Sequence, residues 1–191
     1  MYRIQENRGF TLLEVLISLF LTGVIAAAGF NFFVTMHNQR LVQEEISDMQ
    51  QSSRNSLDEI ASVLRMAGYK VGGHTPYHIN GDSLYVFFSE TQPVDTVIFY
   101  VDDYGDYDLG NPGLTAPSGL EPRRLMKKQN SATPAVFADY IRYMLFNVVD
   151  TNTIDVTLVT QASKPDEAYT GNYGYRLYVA TERVNLRNID L

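Results

Sequence analysis

One acidic side chain lies in an apolar stretch near the start of the chain. In GFTLLEVLISLF (residues 9–20) Glu14 is the only charged residue, and no residue from Val15 to Val34 carries a formal charge. A carboxylate at the centre of a membrane costs roughly 2.5–3.5 kcal/mol on insertion scales, and less near the edge, where Glu14 would lie. The position therefore predicts a partner for this acid. The alternative is an acid that extends its carboxylate to the cytoplasmic face of the membrane.

An acidic segment, VDDYGDYDLG (residues 101–110), could supply a metal site. Asp102, Asp106 and Asp108 have the even spacing of a calcium loop, but Tyr104 occupies the position where a third early ligand is needed. A solvated acidic turn explains the same composition. The two histidines of HTPYH, His74 and His78, are separated by a proline that prevents a regular helix from aligning them. We expect a loop pair there and no metal.

The sequence has one cluster of basic residues, and the charge of the whole chain opposes a nucleic-acid function. This cluster comprises Arg123, Arg124, Lys127 and Lys128. With a formal net charge of −7, the chain repels polyphosphate, so we expect no general nucleic-acid binding and interpret the cluster as edge-protecting charges on a strand. The sequence contains no nucleophile motif, phosphate-binding loop, dinucleotide fingerprint or cysteine. We therefore expect no catalytic residues, no cofactor and no metal.

The apolar segment from Val15 to Val34 has the length of a membrane-spanning helix. Arg3 and Arg8 precede it, which predicts a cytoplasmic amino terminus and translocation of everything that follows. A removable secretory signal cleaved after the alanines at 26–28 is the alternative. Against it, the apolar character continues to Met36 and passes directly into a helical pattern.

A second helical segment continues from the span. Apolar or small residues recur at steps of three or four, at Val42, Ile46, Met49, Ser53, Leu57, Ile60, Leu64 and Ala67. The opposite face is polar and includes Gln43, Glu44, Ser47, Gln51, Asn55, Asp58 and Glu59. Gly68 is a natural stop, so residues 10–67 are predicted to form a nearly continuous helix. Glycines at 23 and 29 weaken it, and local melting is expected between Gly23 and Asn31.

The remainder of the chain has the period of β-strands. Strands are predicted over residues 82–90, 95–103, 123–129, 142–150, 153–161 and 175–186. Ile154, Val156 and Leu158 fall on one face of their strand, and a sheet with one apolar face needs a cover. The predicted fold is therefore α+β: a long amino-terminal helix, first membrane-spanning and then amphipathic, packed on a mostly antiparallel sheet.

Several of these segments are similar to one known family. RGFTLLEVLISLFLTGVIAAAG (residues 8–29) resembles the processing and assembly signal of type IV prepilins and type II secretion pseudopilins. The segment EISDMQQSSRNSLDEIASVLRMAGY and the ending VNLRN resemble the PilW-like minor pilins and the J-type pseudopilins. The resemblance implies residues 1–9 as a cleaved leader, 10–36 as the transmembrane and assembly helix, 37–68 as its amphipathic half, and 69–191 as the sheet domain.

The resemblance also assigns roles to individual residues. It implies that a prepilin peptidase cuts between Gly9 and Phe10 and that Phe10 is then N-methylated. Glu14 would pair with the new ammonium group, at first that of its own chain and then that of a neighbouring subunit in the filament. The implied partners are the peptidase and methyltransferase, other major and minor pilins or pseudopilins, the assembly platform of the bacterial inner membrane, and the membrane itself.

Two departures favour a minor subunit over the main filament subunit. Abundant members of the family usually carry a proline in the apolar helix and often a disulfide near the carboxyl end. Here Asn31 stands about where the proline would be, and cysteine is absent. The expected function is a structural subunit that helps to initiate, cap or tune a pilus or pseudopilus. The alternative is an exported or membrane-anchored sheet domain that binds a ligand or surface without assembling.

Overall fold

The computed structural model of the chain describes residues 10–73, 75–89, 93–103, 123–166 and 169–188. These residues form one helix, seven strands and a short 3-10 turn at Gly171–Gly174. In chain order the elements are α1 (Leu12–Met66), β1 (Tyr77–Asn80), β2 (Ser83–Phe88), β3 (Asp95–Asp103), β4 (Arg123–Gln129), β5 (Ala135–Asp150), β6 (Thr153–Gln161) and β7 (Leu177–Asn185). The predicted α+β class is confirmed.

The strands form one antiparallel sheet in which each strand pairs with its neighbours in the sequence, in the order β1 to β7. The predicted bounds of β3, β4 and β6 agree with the structure. Two predictions were incomplete: β1 was missed, because four residues are too short for a period to stand out, and β5 begins at Ala135 instead of residue 142. The first part of β5, AVFADYI, does not alternate apolar and polar residues, so its pattern hid the strand.

Strand β5 is shared between the two halves of the sheet. Its residues Ala135–Ile141 pair with β4, and Ile141–Asp150 pair with β6. The ladder is irregular where the two parts meet, and Tyr140 there has a φ of 58°. A bulge increases the local bend and twist of a strand, so this irregularity accounts for the curl of the sheet.

The second part of α1 covers the concave face of the sheet with the predicted stripe. Met49, Ser53, Leu57, Ile60, Leu64 and Ala67 are buried. The last four of these pack in a core with residues from six of the strands, including Leu84, Phe99, Leu125, Met144, Leu158 and Val184. The apolar stripe tolerates Ser53 because its hydroxyl is not left without a partner. The hydroxyl donates a hydrogen bond to Thr160 Oγ1 over 3.2 Å, which offsets the cost of burying a polar group.

Two ion pairs hold the flanks of α1 to the sheet. Lys127 Nζ of β4 binds Glu59 Oε1, and Arg65 binds Glu182 Oε1 of β7 over 3.1 Å. Glu59 was predicted on the exposed polar face, but it is half-buried beside Lys127. The prediction failed because the helical period identifies only the centre of the buried face. How many neighbouring residues are also covered depends on how far the sheet extends around the helix.

The carboxyl end of α1 is closed by a glycine, as predicted. The helix ends at Met66, and Gly68 has a φ of 81°, which a residue with a side chain rarely adopts. Its N–H donates to the carbonyl of Phe87 over 2.9 Å. A Cβ at this position would collide with the backbone carbonyl oxygen of Asn188, whose Nδ2 donates to the carbonyl of Arg65 over 3.3 Å.

The chain divides into two compact units, with the border between Gln43 and Glu44, inside α1. The second unit contains the sheet and the buried part of the helix. In the first unit residues 23–31 are helical throughout, so the local melting expected between Gly23 and Asn31 is absent from the isolated chain.

Candidate functional site

The amino end of α1 is held by a reciprocal pair of side chains, Thr11 and Glu14. The Thr11 backbone N–H and hydroxyl both donate to Glu14 Oε2, over 2.8 and 2.9 Å. In return the Glu14 N–H donates to Thr11 Oγ1 over 3.2 Å. Thr11 directly precedes the first helical residue, Leu12, so the two residues form a capping box, in which N-cap and third helical residue satisfy each other's backbone groups.

This geometry changes the account of the acid in the apolar stretch. The family resemblance implied an ammonium group as the partner of Glu14, and in the structure its carboxylate already accepts two hydrogen bonds from its own chain. The sequence analysis missed Thr11 as the partner of Glu14. The signal was present, because TLLE has the spacing Ser/Thr-x-x-Glu/Gln that marks a helix start. An ammonium group near Glu14 would add a further bond to a carboxylate that Thr11 already binds.

The helix behind the cap exposes its apolar side chains. Every large apolar side chain from Phe10 to Met36 is exposed, and Phe10 itself is 88% exposed. Among the described residues, α1 is the one helix long and apolar enough to cross a membrane, and none of its apolar stretch is buried inside the protein. The helix therefore fits a single-pass anchor in the inner membrane. Gly9, the residue before the expected cut, lies outside the described residues.

Most of the acidic segment, including two of the three aspartates considered for calcium, lies outside the described residues. Asp102 is exposed near the end of β3, where its neighbour across the strands is Arg124. Asp106, Asp108 and His74 lie outside the described residues. His78 lies on β1 with its ring 5.9 Å from that of Tyr85. Within the described ranges no group of three or more acidic or histidine side chains is arranged to hold a metal.

The interpretation of the basic cluster was wrong in one respect. Strand β4 lies inside the sheet, paired on both sides, so its charges do not protect an edge. Two of the four neutralise acids instead: Arg123 binds Asp82 over 3.3 Å, and Lys127 binds Glu59. Paired cations of this kind give no independent support to nucleic-acid contact.

A cleft of about 350 Å³ opens beside the bulge of β5. Its lining includes the carboxylates of Glu45, Asp48 and Asp139 and the ring of Tyr140. Burial raises the pKa of the Tyr140 hydroxyl, and the nearby charges of Asp139 and Glu45 raise it further. Glu45 accepts hydrogen bonds from Ser163 Oγ and from the Lys164 N–H. The cleft thus brings three acids together beside hydroxyl groups, one of which, Ser163 Oγ, is bonded to Glu45.

The comparisons with known proteins concern the amino-terminal segment. A family model described as "Prokaryotic N-terminal methylation motif" matches residues 5–30, a stretch that includes Gly9, Phe10, Thr11 and Glu14. No curated protein and no solved structure matches the chain. The motif supports a pilin-like or pseudopilin-like protein of the type IV class, processed by a prepilin peptidase and assembling with other pilins. It points to a structural subunit rather than an enzyme.

Proposed function

We propose that the chain is a minor pilin or pseudopilin of the PilW-like or J-type kind, which helps to initiate, cap or tune a type IV pilus or a type II secretion pseudopilus. Prepilin peptidase cuts between Gly9 and Phe10, and Phe10 is methylated. The subunit waits in the bacterial inner membrane with its sheet domain in the periplasm. The assembly platform then moves it into a filament with other major and minor subunits.

The observation that carries this proposal is the match of residues 5–30 to the methylation motif on a helix whose apolar side chains are all exposed up to Met36. Exposed apolar surface of this extent needs lipid or other apolar helices around it. A subunit that passes from a membrane to a filament core meets both surroundings in turn. The same helix continues into the sheet domain, so the anchor and the domain are joined by a single element.

In this proposal Thr11 and Glu14 have successive roles. In the membrane the capping box satisfies the Glu14 carboxylate within its own chain. On assembly the carboxylate accepts a hydrogen bond from the ammonium group of a neighbouring subunit, in which both partners are charged, whereas the donors of Thr11 are neutral groups. The absence of cysteine and the Asn31 in place of a proline support a low-copy subunit over the main one.

The amino terminus of the mature protein tests the proposal directly. Mass spectrometry of the chain isolated from membranes should find a protein that begins with methylated Phe10. The variant Gly9→Val should keep its full precursor length, because the peptidase of this family requires the glycine. A mature chain beginning at Gly29 would indicate a cleaved secretory signal, and one beginning at Met1 an uncleaved anchor. Either result replaces the filament subunit with an exported binding domain.

A further inference from the structure

Two asparagines lie on one face of the first part of α1. Asn31 is inside the apolar segment that ends at Val34, and Asn38 follows seven residues after it. Seven residues are close to two helical turns, so the two side chains leave the helix in nearly the same direction. The helix is unbroken between them, and both asparagines are exposed in the single chain.

The carboxamide of Asn31 has no partner in its own helix. Thr22 and Thr35 each donate their hydroxyl to the backbone carbonyl four residues earlier, over 2.7 and 2.9 Å, so these polar groups of the helix are satisfied locally. Among the described residues the side chain of Asn31 forms no hydrogen bond. It carries two N–H donors and an acceptor oxygen, and lipid tails offer a partner to none of them. In a membrane such a group binds a polar group of another helix.

The direction of the two asparagines defines a seam along the helix, in the heptad pattern of paired helices. The seam is made of the a positions, which include the asparagines, and of the d positions, three residues after each a position. All its residues are exposed in the single chain and belong to the first compact unit. The a positions are Ile17, Val24, Asn31 and Asn38, and the d positions are Leu13, Phe20, Ala27, Val34 and Leu41.

The residue types of the seam fit a pair of parallel helices. β-Branched side chains at a positions, here Ile17 and Val24, favour two strands, and an asparagine at an a position fixes the register and the number of helices. Ala27 lies between Val24 and Asn31 and is small enough to let two backbones approach each other. Close approach is what brings a short carboxamide within reach of its partner.

The seam has a definite end on the side of the sheet unit. The next two positions in the same count after Leu41 are Glu45 and Asp48. Two copies in parallel would place like charges together at these positions, which is unfavourable. The contact is therefore confined to residues 13–41 and does not involve the sheet.

A second copy of the chain is the occupant that satisfies Asn31. The basic residues before the span orient every copy in the same way, so two neighbouring helices are parallel and equal positions lie at equal depth. A carboxamide is both donor and acceptor, so the Asn31 side chains of two copies satisfy each other. A different helix does this only if it has a polar side chain at that depth, whereas a second copy always has one.

We propose that the chain forms a parallel homodimer in the membrane through the seam. Reciprocal hydrogen bonds between the two Asn31 carboxamides hold the pair within the apolar region, and those between the two Asn38 carboxamides hold it beyond the end of the apolar segment. The apolar seam residues pack between these points. The dimer requires the membrane anchor, but neither cleavage of the leader nor assembly of a filament.

Single cysteines test the pairing in the full chain, because it contains none of its own. Val34→Cys places a thiol in the seam, and Phe33→Cys places one at nearly the same depth on the side away from it. Membranes of cells that produce each variant are oxidised, and the products are identified by mass spectrometry. Val34→Cys should give a disulfide-linked pair of chains, as should Ala27→Cys at a second seam position. Phe33→Cys should stay monomeric.

Replacement of Asn31 separates its hydrogen bonds from the packing around it. In the Val34→Cys chain at low protein-to-lipid ratio, the initial rate of disulfide formation follows the population of the pair. Asn31→Leu should lower this rate by about tenfold, because it removes the interhelical hydrogen bonds. Asn31→Gln keeps a carboxamide and should retain most of the rate. Ser18→Leu removes a polar group from the opposite face and should leave the rate unchanged.

Three results would overturn the proposal. They are equal cross-linking at residues 33 and 34, an undiminished rate in Asn31→Leu, and linkage of Val34→Cys to a different protein without any pair of chains. The amino terminus of the same samples keeps this test apart from that of the proposed function. Methylated Phe10 without a dimer would refute the pairing alone, and a dimer of chains without methylated Phe10 would refute the pilin function alone.

Discussion

The roles of Thr11 and Glu14 can be separated by variants that each remove one of them. Glu14→Gln keeps an oxygen that accepts the Thr11 N–H, so the capping box survives, but it removes the negative charge. Thr11→Val keeps the charge and removes the hydroxyl, which makes one bond to the carboxylate and accepts one from the Glu14 N–H. Thr11→Ser retains the hydroxyl and is the matched control.

The two losses differ in size. An N-cap substitution costs about 1 kcal/mol, or roughly a fivefold change in the opening equilibrium of the first turn. Leaving an ammonium group without its carboxylate in an apolar filament core costs about 3–5 kcal/mol, which exceeds a hundredfold change in assembly. We therefore expect Glu14→Gln to be cut after Gly9 and inserted in the membrane but scarcely recovered in filaments. Thr11→Val should assemble at a moderately reduced level.

Two measurements check this expectation. Immunoblots of membrane and sheared-filament fractions give the assembled share of each variant against the original chain and Thr11→Ser. Amide exchange of the chain in detergent should show that the Glu14 N–H loses protection by about fivefold in Thr11→Val and keeps it in Glu14→Gln. If Glu14→Gln is recovered in filaments at the level of the original chain, the charge of Glu14 is not needed for assembly. Equal defects in both variants would assign the function to the cap.

Two further predictions concern the sheet domain, with thermal unfolding of the full chain in detergent as the measurement. Leu57→Asp should lower the unfolding temperature severely, because it buries an unpaired charge in the core. Asp58→Lys, on the exposed face, should change the unfolding temperature little. Equal unfolding temperatures for the two variants would show that the helix face is misassigned. Gly68→Ala should destabilise by more than 1 kcal/mol or so, since it combines strain at positive φ with a collision at Asn188. Gly72→Ala also has a positive φ but open space around it, so a loss as large as that of Gly68→Ala would refute the collision.

The parts of the fold that the sequence predicts are those set by local periods. The buried stripe of α1, from Met49 to Leu64, follows from steps of three and four. The alternation of Ile154, Val156 and Leu158 likewise identifies the covered face of β6. Gly68 marks the helix end because only glycine adopts its backbone conformation readily. In each case the residues that decide the structure are neighbours along the chain.

The parts that sequence reasoning missed depend on distant neighbours or on a competing interpretation. The position of β4 inside the sheet is a fact of strand order, which the cluster of Arg123 and Lys127 does not encode. The pairing of Lys127 with Glu59 joins residues 68 positions apart. Thr11 was missed for another reason, because Glu14 fits two interpretations. An acid among apolar residues indicates a partner in the membrane, and the same Glu14 also satisfies the local rule for a helix start.

The joint between the end of α1 and the last described residues sets an order of events for an exported subunit. The bond from Asn188 to Arg65 spans 123 positions of sequence. If the subunit is exported as proposed, the amino-terminal helix reaches the membrane before Asn188, which lies 123 positions after Arg65. Contacts of such long range form late in folding. In this proposal the anchor is available to its processing enzyme while the domain is still open, and Asn188 reaches its position beside Gly68 only afterwards.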